Sequence, residues 1–495
     1  MKIFRHFVTL VFALSVSFPL MAFGAEVSIS GLTVPKLNDN LPEQSIGLHP
    51  IAGPLACPAY FHFDAIQSKF ESSVFSNVDE ESLNSKVWKV SARTDLKWWN
   101  GDTVTTEAIA ENLTTLLPES VKGTALTFPA FKVTSSGSNI QISFEQKPNV
   151  GIYVLSGWPL SRKVKKGISA TAFECIGSHS ATAENGSDLV LKRINDTNEV
   201  IRLSEKPPAQ SNEKMRTVNV RFANSFGGTP WTRMSDEAAT CSVKLDTPYF
   251  TYLRWNRAIA PTDNTDFRKI LTRLTPRGEI LRAAAGSVGD LVSAPIARSS
   301  VGYNKKVLVP NFDLRGAAKE LDALGFKRPS PDAPRRLPNG KEFTIKIRMA
   351  GNTPVITEKT IEDTLTSVGL SVMLVPKSDA APESELTGAF AGAFVSSPEY
   401  NLLKLYFPRA PLAYANWSPE IPELYSKMLA YHQDLSFGRV SWTKLQDIHT
   451  LIAQSEPLTP LLQNWACIDA NFKINNQDAN QSFATYLGFK NLLGI

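Results

Sequence analysis

Between Val87 and Leu117 the alternation of apolar and polar residues predicts a strand, a turn and a helix without a gap. Trp88 and Val90 fall on one face of a β-compatible run and Val87 and Lys89 on the other, so one face can be buried. Asn100-Gly101-Asp102 then breaks the run as a tight turn, with Asn-Gly expected to supply two positive φ angles and the aromatic pair Trp98-Trp99 to anchor it. Thr105 is placed to cap a helix that starts at about Thr106. Glu107 and Glu111 sit in its early turns, where the helix dipole favours negative charge. Ala108, Ile109, Leu113 and Leu116 or Leu117 form its apolar face. Packing and turn geometry account for these residues without a ligand.

The same reading extends along the chain. Ile29 to Pro35 is predicted as a first strand and Tyr60 to Phe75 as a helix. Phe131-Lys132-Val133 and Ile140 to Phe144 alternate across Ser135 to Asn139, which makes a hairpin by period and by turn chemistry. Leu189-Val190-Leu191 and Val200 to Leu203, split by Asn195 to Asn198, make a second hairpin. Val218 to Phe222 and Tyr249 to Asn256 are further strands. In Phe312 to Phe326 the residues Ala317, Ala318, Leu321 and Leu324 recur at helical spacing, with Gly325 placed as a left-handed cap. Phe343 to Met349 alternates, Ile361, Leu365 and Val368 form a helical stripe, and Leu370 to Val375 returns to strand. This is a βαβ unit with parallel strands, and it puts Gly351-Asn352-Thr353 at the carboxyl edge of a sheet, where open α/β folds hold ligands. The prolines at 329, 331, 334 and 338 mark Pro329 to Gly340 as a surface loop.

Composition then narrows the class. A chain of 495 residues, 43% hydrophobic and 20% charged, has the balance of a globular protein of several domains. Lys2 and Arg5 precede an apolar run from Phe7 to Phe23, followed by Gly24-Ala25; this predicts a secretory signal peptide over residues 1–24. No Cys stands at the processing site, so no lipid anchor is expected and the mature chain is expected in a periplasm. Losing Lys2 and Arg5 lowers the net charge from +5 to about +3, a balance that does not suggest a nucleic-acid partner. Cys57, Cys175, Cys241 and Cys467 are too far apart for a CxxC pair or a zinc knuckle. Structural disulfides are their expected use, with three pairings open.

Chemistry-bearing motifs are absent. There is no G-x-S-x-G, no H-E-x-x-H, no phosphate-binding loop and no dinucleotide fingerprint. Beyond the leader, His49, His62, His179, His432 and His449 show no i, i+4 pair, so no metal site and no cofactor is expected. The chain does not read as an enzyme.

Several of these segments together resemble the bacterial extracellular solute-binding proteins of the peptide and nickel class (family 5), the periplasmic components of ABC transporters. Lys97-Trp98-Trp99-Asn100-Gly101 stands for the family's "K-[FW]-H-[DN]-G", and Thr105-Thr106-Glu107-Ala108-Ile109 for "T-A-E-D-V". Asp266 to Leu271 with Arg277-Gly278-Glu279-Ile280 is similar to "D-x-R-x-R-x-A-[IL] … D-R-x-x-I". Other elements depart from the pattern. Ser45 to Pro50 stands where the family has "S-L-D-P" and lacks its Asp. Asn185 to Asp188 is what remains of "G-T-G-P-Y", and the "G-x-x-D" return after Phe222 is almost absent.

The resemblance implies a two-lobe α/β periplasmic-binding-protein fold, class II-like and large. Residues 25–255 with 456–495 would form lobe I, carrying an extra subdomain at about 60–168, and residues 256–455 would form lobe II. It implies a monomer that captures a small solute, peptide or peptide-like, and passes it to a membrane permease. In peptide-binding relatives the Asp of "A-D-Y-x-D-P" pairs with the ligand's amine. Val395 to Tyr400 holds that place here, so Ser396 stands for the Asp and Glu399 is the nearby acid. Phe394, Trp417 and Trp465 would wall the pocket, and Asn352 would stand at the sheet edge. The resemblance also places the four cysteines in or beside lobe I and implies Cys57 with Cys241 and Cys175 with Cys467. The departures from the pattern support an alternative, a degenerate relative acting as a periplasmic interaction protein without solute transport.

Overall fold

The computed structural model describes residues 26–472 except for 32–33, 36, 38–45, 47–48, 50, 65–67, 123–125, 167–169, 185–187, 196–198, 206–214, 223–242, 286–288, 299, 350–355, 377–383, 391–421 and 456–457. From the amino end, β1 (Val27–Ser30) and the short α1 (Ala52–Ala56) lead into a hairpin of β2 (Phe61–Asp64) and β3 (Lys69–Ser72). Next come β4 (Phe75–Val78), β5 (Val87–Ala92), α2 (Thr106–Ser120), β6 (Phe131–Ser136) and β7 (Asn139–Phe144), the strands pairing in the order β4-β5-β7-β6. A 3-10 turn (Ile152–Leu155) and a two-stranded hairpin, β8 (Ser161–Lys166) with β9 (Ala170–Cys175), complete this subdomain. Then follow β10 (His179–Glu184), β11 (Asp188–Arg193), β12 (Val200–Ser204), β13 (Arg216–Phe222) and the long β14 (Val243–Trp255). The rest comprises α3 (Thr265–Leu274), α4 (Arg277–Ala285), β15 (Gly289–Asp290), α5 (Leu314–Ala323), β16 (Ile345–Arg348), α6 (Ile356–Ser367), β17 (Val372–Val375), β18 (Ser384–Phe390), α7 (Pro422–Ser436), α8 (Trp442–Ser455) and the equally long β19 (Leu458–Ala470).

One large sheet runs β10-β11-β12-β1-β13-β19-β14-β18-β16-β17, with β15 added beside β19. β1 lies parallel to β12 and β13, and β16 lies parallel to β17 and β18, as expected of α/β crossovers. Each end of the sheet has its own core. Ile29, Leu189, Leu203 and Val220 pack with α1 at one end. Leu253, Phe267, Ile347, Ile361 and Leu365 pack under α3, α5 and α6 at the other. Among the described residues no helix is long and apolar enough to cross a membrane.

The Val87 to Leu117 segment folds as its pattern predicts, for the predicted reasons. Thr105 caps α2 by accepting from the Ala108 N–H at 3.2 Å. Ile109, Leu113 and Leu117 bury against Trp88, Ile140 and Ile142 of the four-stranded sheet; each such side chain contributes roughly 1.5–3 kcal/mol by leaving water. The turn differs in one respect. Only Gly101 takes a positive φ, +90°. Asn100 instead accepts the Asp102 N–H through its side-chain oxygen at 3.0 Å, an Asx-type turn. The hairpin of Phe131 to Phe144 and the βαβ unit of Ile345 to Val375 also form as expected.

Two expectations are overturned here. The helix predicted from Tyr60 to Phe75 is the β2–β3 hairpin, turned at Ser68 with φ +53°. Phe61 and Phe63 alternate with His62 and Asp64 at strand period, and Phe63 packs on Phe70 across the pair with ring centroids 5.3 Å apart. The expected pairings of Cys57 with Cys241 and Cys175 with Cys467 give way to one disulfide, Cys57–Cys175, with Cα atoms 5.1 Å apart. The chain leaves the first core at Cys57, runs through the whole subdomain and returns at Cys175. Gly177 N–H donates to Ala56 O at 3.0 Å and Trp99 N–H to Cys175 O at 3.1 Å, so the neck brings these two cysteines together. Cys467 lies on β19 and Cys241 lies outside the described residues.

The Asp missing from the "S-L-D-P" element is replaced by a histidine. His49 Nδ1 accepts the N–H groups of Ile51 (3.2 Å) and Ala52 (3.1 Å) at the start of α1, the work a capping carboxylate would do. Acceptance at Nδ1 requires the neutral ring. Burial agrees, holding the His49 pKa down at about 3.

Two outcomes follow from these contacts. The disulfide closes a loop across a sequence separation of 118 residues, so replacing both cysteines by Ala should lower unfolding stability by about 5 kcal/mol in the chain-entropy account; urea midpoints of the two proteins measure this. The neutral His49 is favoured in the folded state, whereas the unfolded ring protonates below about pH 6.5. Its contribution is therefore complete above that pH and is lost as pH falls toward about 3. His49→Asn keeps a cap acceptor without a titrating group, so its midpoint should fall less steeply than wild type between pH 6.5 and 4. Equal slopes would assign the acid loss to other groups.

Candidate functional site

β14 and β19 belong to both ends of the large sheet. β19 pairs with β13 from Ala466 to Ala470 and with β14 along most of its length, while β14 pairs with β18 from Tyr249 to Trp255. The β14–β19 register is not continuous. Asp246 faces Trp465 but Phe250 faces Gln463, so β14 advances four residues while β19 moves two. Pro248 lies inside this irregularity and has no N–H to give to a ladder. At the same level Gly289 and Asp290 pair with Asn464 and Gln463.

A small polar group gathers at this crossing. The Trp465 indole N–H donates to Asp290 Oδ2 at 3.0 Å. The Arg298 guanidinium donates to Asp290 Oδ1 at 3.4 Å, and the Arg298 backbone N–H donates to Oε1 of the fully buried Gln463 at 3.0 Å. Arg298 is 53% and Asp290 24% exposed, so each keeps solvent-facing donor or acceptor capacity. A cation, an anion and an indole thus stand together where the chain passes between the two ends of the sheet. That combination suits a polar solute bearing charge, held at a junction between lobes.

Among the residues expected to line a site, Trp465 lies in this group, half-buried, with its N–H committed to Asp290. Asn352, Phe394, Ser396, Glu399 and Trp417 lie outside the described residues. Asp290 and Arg298 were not singled out by the sequence. They flank the apolar stretch Leu291 to Ala297, and nothing local pairs Asp290 with a tryptophan 175 positions away.

Close by, Ser293 and His449 form a pair that has the members of a nucleophile–base dyad but the wrong tautomer. His449 Nδ1 accepts the Asn304 N–H at 2.9 Å, so the ring proton is on Nε2 and points at Ser293 Oγ, 2.7 Å away. The ring therefore has no lone pair free to take the serine proton. Both residues are buried, and burial holds His449 neutral, with its pKa down at about 4. Elsewhere His62 faces Glu71, and His179 lies between Ser178 and Glu199. Among the described residues no three His, Cys, Asp or Glu side chains are grouped so as to hold a metal ion.

Compared with known proteins, the chain matches no family model and no curated protein. Solved structures do match over nearly its whole length. NikA from Brucella suis, in complex with Fe(III)-EDTA, aligns with a TM-score of 0.68 at 15% identity over 91% of this chain and 96% of that one. NikZ from Campylobacter jejuni, in complex with Ni(L-His), aligns at 0.65 and 11% over 90% and 94%. A periplasmic oligopeptide-binding protein of an oligopeptide ABC transporter from Thermotoga maritima aligns at 0.62 and 15% over 90% and 92%. At these identities the likeness is one of fold. The protein has the two-lobe α/β fold of the solute-binding proteins of ABC transporters.

Proposed function

We propose that the protein is a periplasmic receptor that captures a small solute, peptide or peptide-like, between two lobes and delivers it to an ABC-type permease. The observation that carries this reading is the crossing of β14 and β19, where both strands are shared by the two ends of the sheet and their register slips around Pro248. Such a pair is a natural hinge, since its ladder is interrupted at the register shifts and a strand pair can absorb a change of backbone angle there. In this reading residues 1–24 direct export, residues 25–255 with 456–495 form lobe I, and residues 256–455 form lobe II. Trp465, Asp290 and Arg298 stand at the solute's end of the hinge, and Phe394, Ser396, Glu399, Trp417 and Asn352 supply the remaining walls. The committed indole N–H leaves the ring faces of Trp465 for stacking.

A thermal-shift screen of peptides, sugars, opines and metal–amino-acid chelates tests the receptor itself. A true solute at about a hundredfold over its Kd should stabilise by roughly 2.7 kcal/mol and compact the molecule in small-angle scattering. A panel that shifts nothing and compacts nothing would favour the interaction-protein alternative.

The amine position gives a narrower outcome. A buried ammonium facing the Ser396 hydroxyl rather than a carboxylate keeps much of its desolvation penalty. An N-acetylated peptide is therefore expected to bind at least as tightly as its free-amine form. If Glu399 rescues the amine, Glu399→Gln should weaken only the free-amine peptide; calorimetry on both peptides and both proteins separates these cases. Tight free-amine binding that survives Glu399→Gln would move the amine site elsewhere.

A further inference from the structure

The subdomain of β2 to β9 is joined covalently to the first core, through the neck closed by Cys57–Cys175. It also meets the opposite side of the molecule, and does so at very close range. Gly151, just before the 3-10 turn, lies against the end of α7. A Cβ on Gly151 would sit 2.0 Å from the Ser436 carbonyl oxygen and 2.8 Å from the Phe437 ring. The Gly151 N–H donates to Ser436 Oγ at 3.0 Å, and Ser436 is fully buried. On the other side of this contact Gly438, with φ +76°, presses on the Tyr153 ring, where a Cβ would come within 2.9 Å. Two glycines thus permit a backbone-to-backbone and a backbone-to-ring approach that no other residue would allow.

Apolar side chains surround this contact. Phe437 packs into the subdomain core with Phe61 and Tyr153, Leu429 of α7 packs on Val150 and Val154, and Phe70 is shared by the subdomain core and the core under α7 and α8. Phe63 meets Trp442 at the start of α8 edge-on, with centroids 6.2 Å apart. Parting these surfaces would expose several large apolar groups and strand the buried Ser436 hydroxyl's partner.

Resting on the two-lobe reading above, we propose that this clasp docks the subdomain onto α7 and α8, so that it moves with the second lobe although its chain belongs to the first. When the hinge strands bend, the part that swings is then the sheet end of β10 to β13 with α1, and the neck at Cys57–Cys175 takes up the motion. The disulfide and the Trp99 contacts to Ala56 O and Cys175 O keep that neck from opening as it flexes.

Spin labels at Lys89→Cys on β5 and Thr443→Cys on α8, both exposed, in a Cys241→Ser, Cys467→Ser background measure the docking in the full chain. A single narrow distance is expected. Gly151→Ala should shift it to longer values and broaden it while circular dichroism and cooperative unfolding persist, and Ser436→Ala, which removes only the hydroxyl, should do so to a smaller extent. A broad distance in the parent protein would overturn the proposal. So would an unchanged distance in both variants, and Ser436→Ala alone decides if Gly151→Ala does not fold.

Discussion

Among the described residues, the two ends of the large sheet are hydrogen-bonded to each other only through β14 and β19. Everything else in the molecule is arranged around that constraint. A thirteen-residue antiparallel pair is stiff where its ladder is complete, and here the register shifts twice, between Asp246 and Phe250 and again between Thr251 and Tyr252. Stiffness is lost where these irregularities interrupt the pairing, beside Pro248 of β14 and Pro460 of β19, neither of which has an N–H to give. The fold thus concentrates its compliance in a few residues of one strand pair.

The polar groups near the crossing show how buried polarity is handled in such a fold. Several buried side chains there are tied to backbone or to another side chain: Gln463 to the Arg298 N–H, His449 to Asn304 and Ser293, and Arg277 to the carbonyls of Val292 and Pro460. Satisfied in this way, they specify the path of the 289–304 segment rather than react. The Ser293–His449 geometry illustrates the difference, because one backbone N–H is enough to decide the tautomer. By contrast Asp290 and Arg298 keep exposed surface, which is what recognition of a solute needs.

Much of the fold was readable from local pattern. The Trp98-Trp99-Asn100-Gly101 turn, the Thr105 cap, the hairpin around Gly137 and the parallel pair Ile345–Arg348 with Val372–Val375 each rest on residues within one or two elements of each other. Where the pattern misled, a local ambiguity was settled from afar. Tyr60 to Phe75 has enough aromatic residues to suit either period, and its distant neighbours Tyr153 and Trp442 favour the hairpin. His49 was read as the loss of an acidic residue, yet an imidazole nitrogen accepts the same two N–H groups.

The sequence by itself determined most of the element types, the Thr105 cap and the likeness of fold, because period, glycine placement and capping act over a few residues. The tertiary structure alone decided the partner of Cys57, the pairing of Trp465 with Asp290, and the contact of Gly151 with Ser436. These join positions 118, 175 and 285 apart. No local preference encodes such pairs; they arise from where the strands and the subdomain neck bring the chain back upon itself.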